Sequence, residues 1–160
     1  MKNVFLNKLI ILSFCFIQAI SVQSQNFLKP IWRFSTGDDV SWARVEHDDS
    51  HWKEINGLAY WEKQGYADYD GYAWYRQNVF VPSTFKKEAM QFGGLVLSLG
   101  AIDDVDITYW NGTKLAGMGS FPPDFKAAYA EERVYTIPAE QVLWDAVNVI
   151  AVRVYDGGGN

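Results

Sequence analysis

Two residues, Asn111 and Gly112, limit the fold more than any other feature of this chain. They stand between "VDITYW" (105–110) and "TKLAGM" (113–118), two short runs rich in β-branched and aromatic residues. A type I′ connection needs positive φ at both central positions, which Asn and Gly tolerate and most side chains do not, so the spacing predicts a tight antiparallel hairpin. Asn111-Gly112-Thr113 also fits a glycosylation acceptor pattern, but the hairpin already accounts for it. From residue 31 onward the same pattern repeats. "IWRFST" (31–36), "AWYRQNVFV" (73–81), "GLVLSLG" (94–100), "RVYTI" (133–137) and "NVIAVRVYD" (148–156) read as further strands divided by turn clusters. No segment carries an amphipathic helical period. "HDDSHWKEI" (47–55) and "PAEQVLW" (138–144) read as single helical turns, the first capped by Asp48, Asp49 or Ser50, the second opened by Pro138. Mostly local hairpins with one long excursion (111–133) predict an all-β, two-sheet sandwich rather than a barrel or a parallel sheet.

The first residues read as an address rather than as fold. Lys2 and Lys8 precede "LIILSFCFIQAI", an apolar run too short to span a bilayer, and polar "SVQSQN" follows. This layout predicts a secretory signal over residues 1–24, cleaved near Ser24, and an exported domain over 25–160, periplasmic or extracellular. Cleavage removes the chain's one cysteine, Cys15, so the domain is expected to fold without a disulfide. It also removes two of the 14 basic residues, leaving 12 against 19 acidic ones and a net charge near −7. Such a surface repels phosphate backbones and offers no basic patch, so neither nucleic acid nor a membrane surface is expected as a partner. Aromatic residues make up 16% of the chain, with seven Trp, enough to fill a core and leave rings for the C–H faces of sugars.

Several segments, taken in order, resemble a known module. They are "DDSHWKEI", "YWEKQGYADYDGYAWYRQNVFVP", "LSLGAIDDVDITYWNGTKLAGMGSFPPDF", "ERVYTIP" and "NVIAVRVYDGGG". Together they resemble the sugar-binding domain of glycoside hydrolase family 2, a galactose-binding-like jelly roll; a similar module occurs in bacterial sialate O-acetylesterases. The likeness spans nearly all of 30–159, and its most distinctive pieces are "DGYAWYR", "GAIDDVD" followed by Asn-Gly, and "NVIAVRVYD". It implies a jelly-roll sandwich that binds carbohydrate, or packs against a downstream catalytic domain, and does no catalysis of its own. Two departures stand out. The family carries a proline before its Trp-Glu pair, where this chain has Leu58-Ala59-Tyr60. The family's glycine run leads to a last strand near the first, whereas Gly157-Gly158-Gly159 here precede Asn160, so the first strand is expected to lack a partner.

Candidate site residues gather around one turn. Tyr69 and Tyr72 flank Asp70-Gly71, Trp61 lies on the approach, and Trp74 follows on the strand. Trp61, Tyr69, Tyr72 and Trp74 are candidates for stacking on a sugar ring, with Asp70 accepting hydrogen bonds from its hydroxyls. Phe121, in the stiff "GSFPPDF" (119–125), is a further candidate contact, since the resemblance places this loop toward the active-site side, facing a ligand or a downstream domain. The ordinary reading of Trp74, mid-strand, is core. Asp103, Asp104 and Asp106 suggest either a structural calcium, which the fold class allows, or ion pairs for Arg76 and Arg153. Alternation along a strand puts Asp104 and Asp106 on one face and Asp103 on the other, which favours the ion pairs. His47 and His51 flank an acidic turn and read as solvated surface. No catalytic constellation, metal ligand set or other cofactor is expected, and carbohydrate is the expected partner.

Overall fold

The computed structural model describes residues 27–158; the expected signal segment, with its cleavage site, lies outside them. Eight strands and one short helix follow in order: β1 (Ile31–Thr36), β2 (Lys53–Asn56), β3 (Gly71–Val81), α1 (Lys86–Phe92), β4 (Leu95–Ala101), β5 (Val105–Trp110), β6 (Thr113–Met118), β7 (Glu132–Ile137) and β8 (Ala146–Asp156). They form two antiparallel sheets, a six-stranded one in the order β2-β1-β3-β8-β5-β6 and a two-stranded one of β4 and β7. The all-β sandwich expected from the sequence is therefore present, though its two layers are very unequal.

The long central strands explain why their sequences looked apolar on both faces. β3 and β8 pair over their whole length, with Trp74 opposite Arg153 and Tyr75 opposite Val152. One face, carrying Ala73, Val79, Ile150, Val152 and Val154, packs into the main core with Phe34, Trp110, Leu97, Tyr135 and Ile137. The other face carries Trp74 and Ala151, which the segment 37–52 covers with Ala43, Trp42 and Trp52. Arg76 is buried under that cover, donating to Asp49 Oδ2 at 2.7 Å and to the carbonyl of Trp42. His47 packs against Trp42 and Trp52, so the solvated-surface reading gives way to an aromatic neighbourhood; its pKa is lowered, by burial first and by Arg76 second.

The hairpin at Asn111-Gly112 forms as expected, with φ of 48° and 78°. Asn111 also ties the turn down, since its amide donates to Asn148 Oδ1 at 2.8 Å and its carbonyl accepts from the Val149 N–H at 2.9 Å. Three expectations are corrected. β1 does not lack a partner: it lies between β2 and β3 and pairs with both. The segment expected to be a helical turn over 47–55 ends in strand β2, whose Ile55 is buried opposite Trp32. The chain also contains α1, invisible as a period because it is two turns long and buries only Ala89.

Candidate functional site

The proposed stacking residues do not share one surface. Trp74 is fully buried, packed against Tyr109 at 5.7 Å, and cannot meet a ligand. Trp61 is only 5% exposed; it sits in the main core against Phe34 and Tyr69, at 5.5 and 5.8 Å. Tyr69 is half-buried and acts as a brace, its hydroxyl donating to the Tyr72 carbonyl at 2.6 Å. Tyr72 points to the opposite side of the sheet from Trp61. There it stacks on Phe121, with centroids 5.7 Å apart and planes 4° off parallel. The Arg153 guanidinium lies 4.8 Å from the Tyr72 centroid and 4.2 Å from that of Phe121. Arg153 is itself held by Asp38 through two bonds of 2.6 Å. These rings therefore already use one another and a cation as partners. Asp70 is exposed, with its carboxylate against Gly158.

The acidic run also resolves differently. Asp106 pairs with Arg133, not with Arg76 or Arg153: Arg133 Nε donates to Oδ1 at 3.0 Å, and both side chains are fully buried. The Tyr135 and Thr108 hydroxyls and the Met118 N–H complete its shell. Asp104 offers its carbonyl to Arg133 and its Oδ2 to the Gly157 N–H. With Asp106 committed to the core, the three acids do not converge, and among the described residues no group of three or more His, Cys, Asp or Glu could hold a metal ion.

A cleft of about 590 Å³ opens elsewhere, between the layers. The geometry follows from the unequal sheets. β7 lies against β6 and closes one side, whereas the far edge of β4 pairs with nothing among the described strands. Residues 98–102 line the cleft consecutively, so it is this strand's edge that forms one wall. The loop 57–62 forms the facing wall, and Trp32, Tyr75, Val152 and Val154 of the core face make the floor. Tyr60 and Tyr129, each 66% exposed, and the carboxylates Glu62, Asp103 and Asp156 complete the lining, which holds no Lys, Arg or His among the described residues; Lys63 Nζ stands beside it, 5.6 Å from the Tyr60 ring centroid.

Acidity in this cleft is crowded. Partial burial pushes the Asp103 carboxyl up to about 6, with the charges of Asp156 and Asp104 adding to it. Asp156 is raised too, again by burial first, while the Gly158 N–H at 2.8 Å works against the rise. Burial, with Glu62 and Asp156 nearby, likewise holds the Tyr75 phenol protonated well above the usual range. Sequence reasoning reached Trp61 of this lining as a site residue and Asp103 as a member of the acidic run. Tyr60, Glu62, Tyr129 and Asp156 were missed because separate segments bring them together and no motif marks them. Two tyrosines outside any alternating strand pattern, Tyr60 and Tyr129, were the signal on offer.

Fold and cleft together define an antiparallel β-sandwich with an acidic, aromatic opening between its layers. No protein-family model matches the chain, and no curated protein matches it in sequence. Solved structures do share the fold. A β-glucuronidase of Bacteroides uniformis aligns at a TM-score of 0.67 and 24% identity, over 83% of this chain and 14% of that one. A glycoside hydrolase family 2 member from Bacteroides cellulosilyticus aligns at 0.60 and 23%, over 81% and 17%. A Lactobacillus rhamnosus β-glucuronidase aligns at 0.59 and 20%, over 79% and 20%. At these identities the likeness is one of fold, and the chain spans a fifth or less of those proteins' length.

Proposed function

We propose that this chain is a carbohydrate-binding, ancillary module of a family 2-like glycoside hydrolase. It would be a galactose-binding-like jelly roll that works outside the cytoplasm without cutting bonds itself. The observation that carries the binding role is the cleft. Its volume falls within the roughly 300–1,000 Å³ usual for small-molecule sites, and exposed rings at its rim stand beside oxygen acceptors. The fold neighbours support the parentage, and the leader-like residues 1–24 support export. A stacked ring contributes about 1–3 kcal/mol by analogy with other aromatic platforms. Titration calorimetry against neutral oligosaccharides, galactosides and plant glycans included, should therefore show saturable binding that weakens about tenfold or more in Tyr60→Ala. Flat titrations across the panel would remove the binding role.

A second reading has one observation behind it. Val96 and Val134, 75% and 56% exposed, stand on the outer face of the small sheet, where a neighbouring domain could cover them. In that reading the sandwich shapes a catalytic domain and has little affinity of its own. Binding that is absent from the isolated chain, with a stable complex formed by a family 2 catalytic domain, would favour it.

A further inference from the structure

We propose that the cleft takes a sugar carrying a free amine, a hexosamine unit in its ammonium form, in preference to a neutral or an acidic sugar. The inference rests on the carbohydrate reading above and concerns the same site. Glu62, Asp103 and Asp156 contribute three carboxylates to the lining, which holds no cationic side chain among the described residues; the one ammonium beside it, Lys63 Nζ at 5.6 Å from the Tyr60 centroid, leaves the carboxylates in excess. An ionised carboxylate only accepts hydrogen bonds, whereas an ammonium group only donates them, so the two inventories complement each other without rearrangement. A cleft lined by one sign of charge with low-dielectric walls concentrates the opposite sign.

The crowding already described points the same way. Asp103 is held back from ionising by burial first and then by Asp156 and Asp104, and a bound cation relieves the repulsion between them. A sugar acid meets the reverse situation, its carboxylate facing three others. Rings rather than charge alone argue for a sugar over a lysine side chain. Tyr60 and Tyr129 are exposed at the rim, and Trp61, which lines the cleft and is otherwise buried, keeps its indole N–H without an acceptor.

The test uses the purified full chain and four probes: glucosamine oligomers, their N-acetylated counterparts, glucuronate-containing oligosaccharides, and tetralysine. Calorimetry should give at least tenfold tighter binding of the free-amine oligomer than of the acetylated one, with no measurable binding of the glucuronate probe. The preference should shrink as salt rises from 20 to 500 mM. Glu62→Gln combined with Asp103→Asn, both at exposed positions, should abolish the preference, bringing the amine and acetyl forms to equal affinity and removing the salt dependence of the difference. Equal affinity for the amine and acetyl forms would overturn this inference and leave the carbohydrate reading standing. Tetralysine binding as tightly as the amino sugar would overturn it as simple charge attraction. No binding of any oligosaccharide would remove both readings together.

Discussion

The Asp106 side chain is fully buried, held by Arg133 Nε, the Tyr135 and Thr108 hydroxyls and the Met118 N–H. Removing one partner of such a pair strands the other, at a cost of about 3–5 kcal/mol. Asp106→Ala should therefore lower unfolding free energy by about that amount in urea titrations, with Asp106→Asn losing less because the amide still accepts. Asp103 makes the opposite prediction. Its carboxyl is held up at about 6 in the folded chain, above its unfolded value of about 4, so its ionisation disfavours folding. The penalty is absent below about pH 4, grows as pH rises to 6, and is complete above that. Asp103→Asn should thus melt higher than the parent at pH 7.5 and together with it at pH 3.5; equal gains at both would assign the effect to something other than titration. The crowding of Asp103, Asp104 and Asp106 was legible in the sequence, and so was the need of mid-strand arginines for partners. The pairing was not. Asp49, Asp38 and Arg133 lie far along the chain from Arg76, Arg153 and Asp106, and their meeting depends on how the sheets fold over each other.

Elements were legible where the chain is locally self-sufficient. The β5–β6 hairpin carries its own turn chemistry, and β3 and β8 declare themselves by length and by apolar residues on both faces. Elements that exist only because of a neighbour were not. β2 is four residues long and is a strand because Ile55 must cover Trp32. The segment 37–52 has no repeating period at all, yet it closes the second face of the large sheet, with Trp52 set against Trp42 at 5.0 Å. Trp52→Ala should open that cover and cost about 3–5 kcal/mol, read as an earlier denaturation midpoint. Any saturable sugar binding found under the proposal above should stay unchanged below the transition, because the loop lies on the other face of the sheet from the cleft. A loss of affinity in the folded variant would mean that the two faces are coupled.

At the scale of the whole molecule, the imbalance of six strands against two decides both stability and site. The large sheet is buried on both sides along β3 and β8, whereas the small sheet is one pair of strands with one edge open onto the cleft. The cleft itself was beyond the reach of sequence reading, because its walls come from 57–62, 98–103 and 152–156, which only the closed sandwich brings together. The small sheet is fastened across the core by the apolar packing of Leu97, Tyr135 and Ile137 and by a polar tie, Arg133 and Tyr135 of β7 reaching Asp106 of β5. Native proteins open in cooperative units whose free energies follow such contacts. Amide hydrogen exchange should therefore find the slowest amides on β3 and β8, at the global limit, and those of β4 and β7 opening earlier as one unit. In Asp106→Ala the protection of β4 and β7 should drop further than that of β3 and β8, because the polar tie between the layers is cut while the large sheet's own ladder is intact. A uniform drop across all four strands would mean that the layers unfold together, and the cleft would then owe its shape to global stability rather than to a separately anchored pair of strands.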